Sequence, residues 1–182
     1  PIEEFFDWKI AREARQTLTS LEKWGSHFYL NVGLRRPHLP YVVPKQYWDW
    51  YSDEAIEALE IDTKPRRALS EIFGVGAREF QSYSDVPREG EIPESKRREL
   101  LRGYLASMSY ADAVIGTVLD TIYTSRLAER TVVLVTSDHG ISLGEYGYFG
   151  KGTLLPEALH VPLLIALPGA TVQQRITAPV GL

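Results

Sequence analysis

The chain of 182 residues contains no cysteine and a single methionine. The missing cysteine excludes disulfides, thiolate metal sites and a cysteine nucleophile within these residues. It does not fix a compartment, because many exported proteins also lack disulfides. No apolar run approaches the roughly 18 residues that suggest a membrane helix. Neither sign of charge dominates. Twenty Lys and Arg stand against 24 Asp and Glu, a formal −4, which gives no reason to expect a nucleic-acid partner. What is present is ordinary for a globular protein: 44% hydrophobic residues, too many for a disordered chain. The length suits one domain or part of a larger one. The chain opens at Pro1 without a basic-plus-apolar leader. It closes on 178–182, which reads like the middle of a strand or loop. Both ends therefore read as those of a fragment.

Helical spacing is clear in two places. Ile10, Ala14, Leu18 and Leu21 recur at three and four residues over 10–24. Leu101, Tyr104, Leu105, Met108, Ala111, Ile115, Val118, Leu119 and Ile122 do so over 94–124, with Gly103 and Gly116 as weak points. Short helices are expected within 44–60 and around 156–159. Three continuous apolar runs, 27–32, 131–136 and 161–167, read as buried strands. Residues 61–92 hold no steady period and several Pro and Gly. They read as a long irregular insertion near a binding cleft. Strand, helix and strand alternate, so the expected class is an α/β sandwich: a mostly parallel sheet covered on both faces by helices.

In such sheets, ligands bind beyond the carboxyl ends of the strands. One expected strand leads to His38, held between Pro37 and Pro40. Another runs directly into Asp138 and His139, followed by Gly140 and a Gly-rich loop carrying Lys151 between Gly150 and Gly152. A carboxylate and an imidazole can ligate a metal. The Lys can hold an anion bound to that metal, and a second His can serve a leaving group. Each residue also has a plainer role. An Asp-His pair can be a turn, a His between prolines can bond backbone, and a Lys between glycines can be a solvated charge. Phosphate and sulfate ester chemistry needs the set together. Tyr47, Trp48, Trp50, Tyr146, Tyr148 and Phe149 suit packing under a loop or stacking on a sugar ring. Arg35-Arg36, Asp112 and Asp120 read as solvated, and His160 as a packing histidine.

Four separated blocks then resemble one family in order and spacing. They are Phe28-Tyr29-Leu30-Asn31-Val32-Gly33 with Pro37-His38-x-Pro40; residues 104–112; Ser137-Asp138-His139-Gly140-x-x-Leu143-Gly144-Glu145-x-Gly147; and Gly150-Lys151-Gly152-Thr153-Leu154 leading to Val161-Pro162-Leu163-Leu164-Ile165. The chain resembles the sulfatases of the alkaline phosphatase superfamily, in particular their iduronate-type branch, as the C-terminal part of the catalytic domain. The resemblance implies that Asp138 and His139 ligate a divalent ion, normally Ca²⁺. Imidazole is an unusual ligand for so hard an ion, which leaves Mg²⁺ or Mn²⁺ open. It implies that Lys151 contacts the sulfate ester and that His38 contacts the sulfate or the leaving oxygen.

The family's nucleophile is a formylglycine, made from Cys or Ser in a Cys/Ser-x-Pro-x-Arg motif. Its hydrate attacks sulfur, the alcohol leaves, and the sulfated intermediate releases sulfate. That motif does not occur here, since Ser84-Asp85-Val86-Pro87-Arg88 has the wrong spacing. The nucleophile and the remaining metal ligands are expected upstream of Pro1, so the 182 residues alone are expected to be inactive. Ile141 and Tyr146 stand where iduronate-type relatives often carry Trp and His. The implied activity is sulfuric ester hydrolysis on sulfated sugars or glycosaminoglycans. The alternatives are a phosphodiesterase or phosphonate hydrolase of the same superfamily, or a catalytically dead binding module. The expected partners are a sulfated carbohydrate and the rest of the catalytic domain. The expected location is secreted, periplasmic or lysosomal.

Overall fold

The computed structural model describes residues 2–59, 78–87, 92–170 and 173–181. Helix α1 (Phe6–Trp24) begins before the apolar stripe and carries Asp7 in its first turn, where a carboxylate suits the helix dipole. It stops at Gly25, whose left-handed backbone (φ 68°) turns its N–H onto the Leu21 and Glu22 carbonyls. Two one-turn pieces, α2 (Lys45–Asp49) and α3 (Asp53–Glu57), replace the single helix expected within 44–60. Ser52 divides them: its hydroxyl caps α3 by accepting from the Ala55 N–H at 3.2 Å. A further turn, α4 (Arg78–Gln81), lies in the stretch expected to be irregular. Residues 60–77 and 88–91 of that stretch lie outside the described residues.

Helix α5 (Glu94–Tyr123) is the spine. Its buried face carries Ala106, Tyr110, Val114, Val118 and Ile122 and meets Ala11, Ala14 and Leu18 of α1. The two small alanines let the helix axes approach. Tyr47 of α2 and Phe5 lean on Tyr110, with ring centroids 5.4 and 5.7 Å away. Burial pushes the Tyr110 phenol up to about 12. Trp48 carries the Arg102 guanidinium 5.3 Å from its ring centroid. Packing thus absorbs Tyr47 and Trp48, while Trp50 stays exposed. Asp112 and Asp120 face solvent, as expected.

The sheet departs from the expectation. Strand β1 (Val133–Thr136) pairs antiparallel with β4 (Leu163–Ala166), in register from Val133↔Ala166 to Thr136↔Leu163. Between them, β2 (Ser142–Leu143) and β3 (Phe149–Gly150) form a small antiparallel hairpin, followed by the single turn α6 (Pro156–Leu159). No parallel ladder occurs among the described residues. A parallel return needs a crossover that carries the chain back along the sheet, and this connection contains only one helical turn. The run 27–32 is extended but joins no ladder among the described residues. Phe28, Leu30 and Val32 pack on the helical core, and Tyr29 between them is exposed. β1 and β4 are not buried strands here, because Leu134, Leu164 and Ile165 remain exposed. The α/β class stands; among the described residues Val133 packs on the helical core, while Leu134, Leu164 and Ile165 stay uncovered.

Gly103 marks where Tyr41 meets α5. A Cβ there would lie 2.9 Å from Cβ and Cδ2 of Tyr41. The nearest atom is the root of the tyrosine, so no rotamer change relieves the clash. Gly103→Ala should gain about 1 kcal/mol of helix propensity and lose about 1–3 kcal/mol to overpacking. The expected outcome is a lower thermal unfolding midpoint; a raised midpoint would refute the contact. Arg97 and Arg98 donate to the Glu94 carboxylate and hold its pKa at about 2, below the ordinary glutamate range. The folded value is the lower one, so the stabilisation is present above that range and fades as pH falls towards about 2. Protection factors for amide exchange at the start of α5 should therefore fall in acid, and Glu94→Gln should remove that acid dependence.

Candidate active site

The loop carrying His38 is built on backbone contacts. The buried Asp7 carboxylate accepts the N–H groups of Arg35 and Arg36 at 2.8 and 2.9 Å. Arg36 then turns inward. Its guanidinium donates to the carbonyls of His38 at 2.9 Å and Val42 at 3.0 Å. Burial lowers the Arg36 pKa, and Asp7 opposes that shift. Arg36 is thus a staple rather than a solvated charge. The peptide bonds before Pro37 and Pro40 are both cis.

The imidazole is fixed in the same way. His38 Nδ1 lies 2.6 Å from the Leu39 carbonyl oxygen. A carbonyl only accepts, so Nδ1 carries a proton and Nε2 is the outward, functional atom. Lys151 Nζ reaches that atom at 2.7 Å, from 113 positions away in sequence. Gly150 and Gly152 flank Lys151 with φ of 119° and 84°, conformations that a glycine adopts without strain. The Tyr148 hydroxyl donates to the Lys151 carbonyl at 3.2 Å. Tyr148 and Phe149 are buried, so both serve packing.

A third group completes the cluster. Glu79 of α4 places Oε1 3.1 Å from His38 Nε2 and Oε2 3.3 Å from Lys151 Nζ. Its neighbour Phe80 stacks on Phe149, with centroids 5.2 Å apart and planes 10° apart. Phe80, Phe149, Val86 and Leu100 form a small buried cluster with Leu39 and Tyr41 packed against it. Burial raises the Tyr41 phenol's pKa, with Tyr104, Tyr83 and Glu79 adding to the shift.

Asp138 and His139 form a second pair after β1. The Asp138 carboxylate accepts its neighbour's N–H at 3.0 Å, and its Oδ2 lies 3.6 Å from His139 Nε2. His139 Nδ1 donates to the Gly140 carbonyl at 2.9 Å, so Nε2 again presents its lone pair outward. An oxygen and a nitrogen at this separation suit adjacent ligands of one divalent ion. Among the described residues no group of three or more His, Cys, Asp or Glu could hold an ion. The pair therefore fits two positions of a shell and no more. No hydrogen bond or ion pair among the described residues joins it to the His38–Lys151 pair. The turn is anchored below by Gly140, whose N–H donates to the Ala158 carbonyl at 2.8 Å. A Cβ on Gly140 would run into the Glu157 carbonyl oxygen of α6. His160, expected to pack, is exposed because α6 ends one residue earlier and the chain turns outward.

The sulfatase family model matches residues 3–182. The chain belongs to the sulfatase family. Mouse iduronate 2-sulfatase is 34% identical over 91% of this chain and 31% of its own length. A sulfatase of Formosa agariphila is 35% identical over 85% of this chain and 30% of its own length. This sulfatase chain thus spans about a third of the length of these curated relatives. The phosphonate monoester hydrolase of Silicibacter pomeroyi shares the fold, with a TM-score of 0.77 at 24% identity over 92% of this chain and 34% of that one. Sequence reasoning found neither Glu79 nor Asp7. Glu79 lies where no motif matched, and Asp7 looks like any helix-start acid.

The Gly140 contact can be tested directly. Gly140→Ala in the whole protein should separate the Asp138–His139 turn from α6 and cost about 1–3 kcal/mol. Urea unfolding measures it, and an unchanged midpoint would refute the close approach.

Proposed function

We propose that this chain contributes one half of a sulfatase active site, within an enzyme that hydrolyses sulfuric esters of sulfated sugars or glycosaminoglycans. One observation carries the reading. His38 and Lys151, from two motifs far apart in sequence, meet at 2.7 Å through the atoms that can bind an oxyanion. Lys151 offers a cationic donor to a non-bridging sulfate oxygen. His38, with Nδ1 tied to a carbonyl, presents Nε2 to the sulfate or to the leaving alcohol oxygen. In its imidazolium form Nε2–H hands that oxygen a proton as the S–O bond breaks. Asp138 and His139 would hold two positions of a divalent ion, which supplies positive charge to the developing oxyanion when bound. Calcium is the ion the family resemblance favours, with magnesium or manganese as alternatives; the His139 nitrogen suits the softer manganese best of the three. The nucleophile belongs to the remainder of the catalytic domain, as a formylglycine by family resemblance.

The exposed apolar side chains of β1 and β4 support that division. Side chains such as Leu134, Leu164 and Ile165 would be covered by the rest of the same domain. No described helix is long and apolar enough to cross a membrane. Membership of the family supports a secreted, periplasmic or lysosomal location. The similarity to mouse iduronate 2-sulfatase supports a sulfated sugar as substrate.

In the whole protein, Asp138→Ala and Lys151→Ala should each lower aryl sulfate turnover by roughly a hundredfold or more. Thermal unfolding of Asp138→Ala should stay near wild type, since that side chain is 85% exposed. Near-normal turnover by either variant would overturn the assignment. Turnover of a phosphonate ester in place of the aryl sulfate would redirect it to phosphonate hydrolysis.

A further inference from the structure

Glu79 Oε2 pairs with the Lys151 ammonium, and Oε1 lies 3.1 Å from His38 Nε2, a contact that becomes an ion pair when the imidazole is protonated. An incoming anion must accept from the same Lys151 Nζ and face the same His38 Nε2. It cannot do so while the carboxylate holds both positions, and with Glu79 in place the Lys151 charge is already matched. The side chain is nevertheless free to leave. Glu79 is 39% exposed, on a helix of a single turn. The neighbouring Phe80, not Glu79, secures that turn by stacking on Phe149. We propose that Glu79 is a displaceable counter-anion, which occupies the anion position beside His38 and Lys151 and sets how strongly a substrate must bind to replace it. This rests on reading His38 and Lys151 as the sulfate-binding pair.

An anion that would also engage a bound divalent ion would gain an interaction that Glu79 does not make in this structure, and would replace the carboxylate more readily. The competing role, a clamp that aligns His38 and Lys151, has the opposite sign. Removing a competitor tightens anion binding, whereas removing a clamp loosens it.

Calorimetric titration of the whole protein with inorganic sulfate distinguishes them. Glu79→Gln should bind sulfate roughly two- to fivefold more tightly than wild type, the scale of one half-exposed ion pair. Glu79→Ala should shift affinity in the same direction. In a Lys151→Gln background the Glu79→Gln effect should shrink, because the larger of its two contacts is gone. Sulfate affinity unchanged or weakened in both Glu79 variants overturns the proposal, as does a gain that persists undiminished without Lys151. Aryl sulfate turnover, measured in parallel, reports on the sulfatase reading separately. Failure there leaves the affinity comparison standing, and a null affinity comparison leaves turnover standing.

Discussion

Phe80 lies flat on Phe149, and this contact decides where the polar groups of the site can be. Phe80 follows Glu79, Phe149 lies two positions before Lys151, and Leu39 follows His38. All three apolar residues belong to one small cluster. The hydrophobic effect draws them together, and an aromatic pair adds about 0.5–1.5 kcal/mol beyond the buried area. Each brings a charged or titratable neighbour to the same place. The cluster is apolar below and ionic above, so one packing event assembles three groups from three separate segments.

The rest of the frame is backbone. Both site histidines give Nδ1–H to a neighbouring carbonyl and keep Nε2 for function. Asp7 and Arg36 close the His38 loop through N–H and C=O groups rather than through other side chains. Gly140 brings the Asp138–His139 turn against α6 more closely than any side chain would permit. Functional atoms are thereby exposed while their supports are held, the arrangement that preorganisation requires.

The sheet follows a different logic. β1 and β4 satisfy each other's hydrogen bonds, yet leave apolar side chains in the open. Together with a length about a third that of the curated relatives, this fits a sheet completed by other parts of a sulfatase domain.

The two long helices were legible because their apolar residues recur at helical spacing, a local property. The Asp138-His139-Gly140 turn and the Gly-flanked Lys151 were legible because each is contiguous. The direction of β4 was not, since an apolar run specifies burial but not the strand it pairs with. The splitting of α2 from α3 turned on the Ser52 cap, one hydroxyl in an otherwise helical stretch. By itself, then, the sequence determined the family, the two long helices and four candidate groups. Only the tertiary structure decided that Glu79 stands beside His38 and Lys151 and that Asp7 holds the loop. Those contacts join segments far apart along the chain, and no local spacing encodes a meeting made by packing.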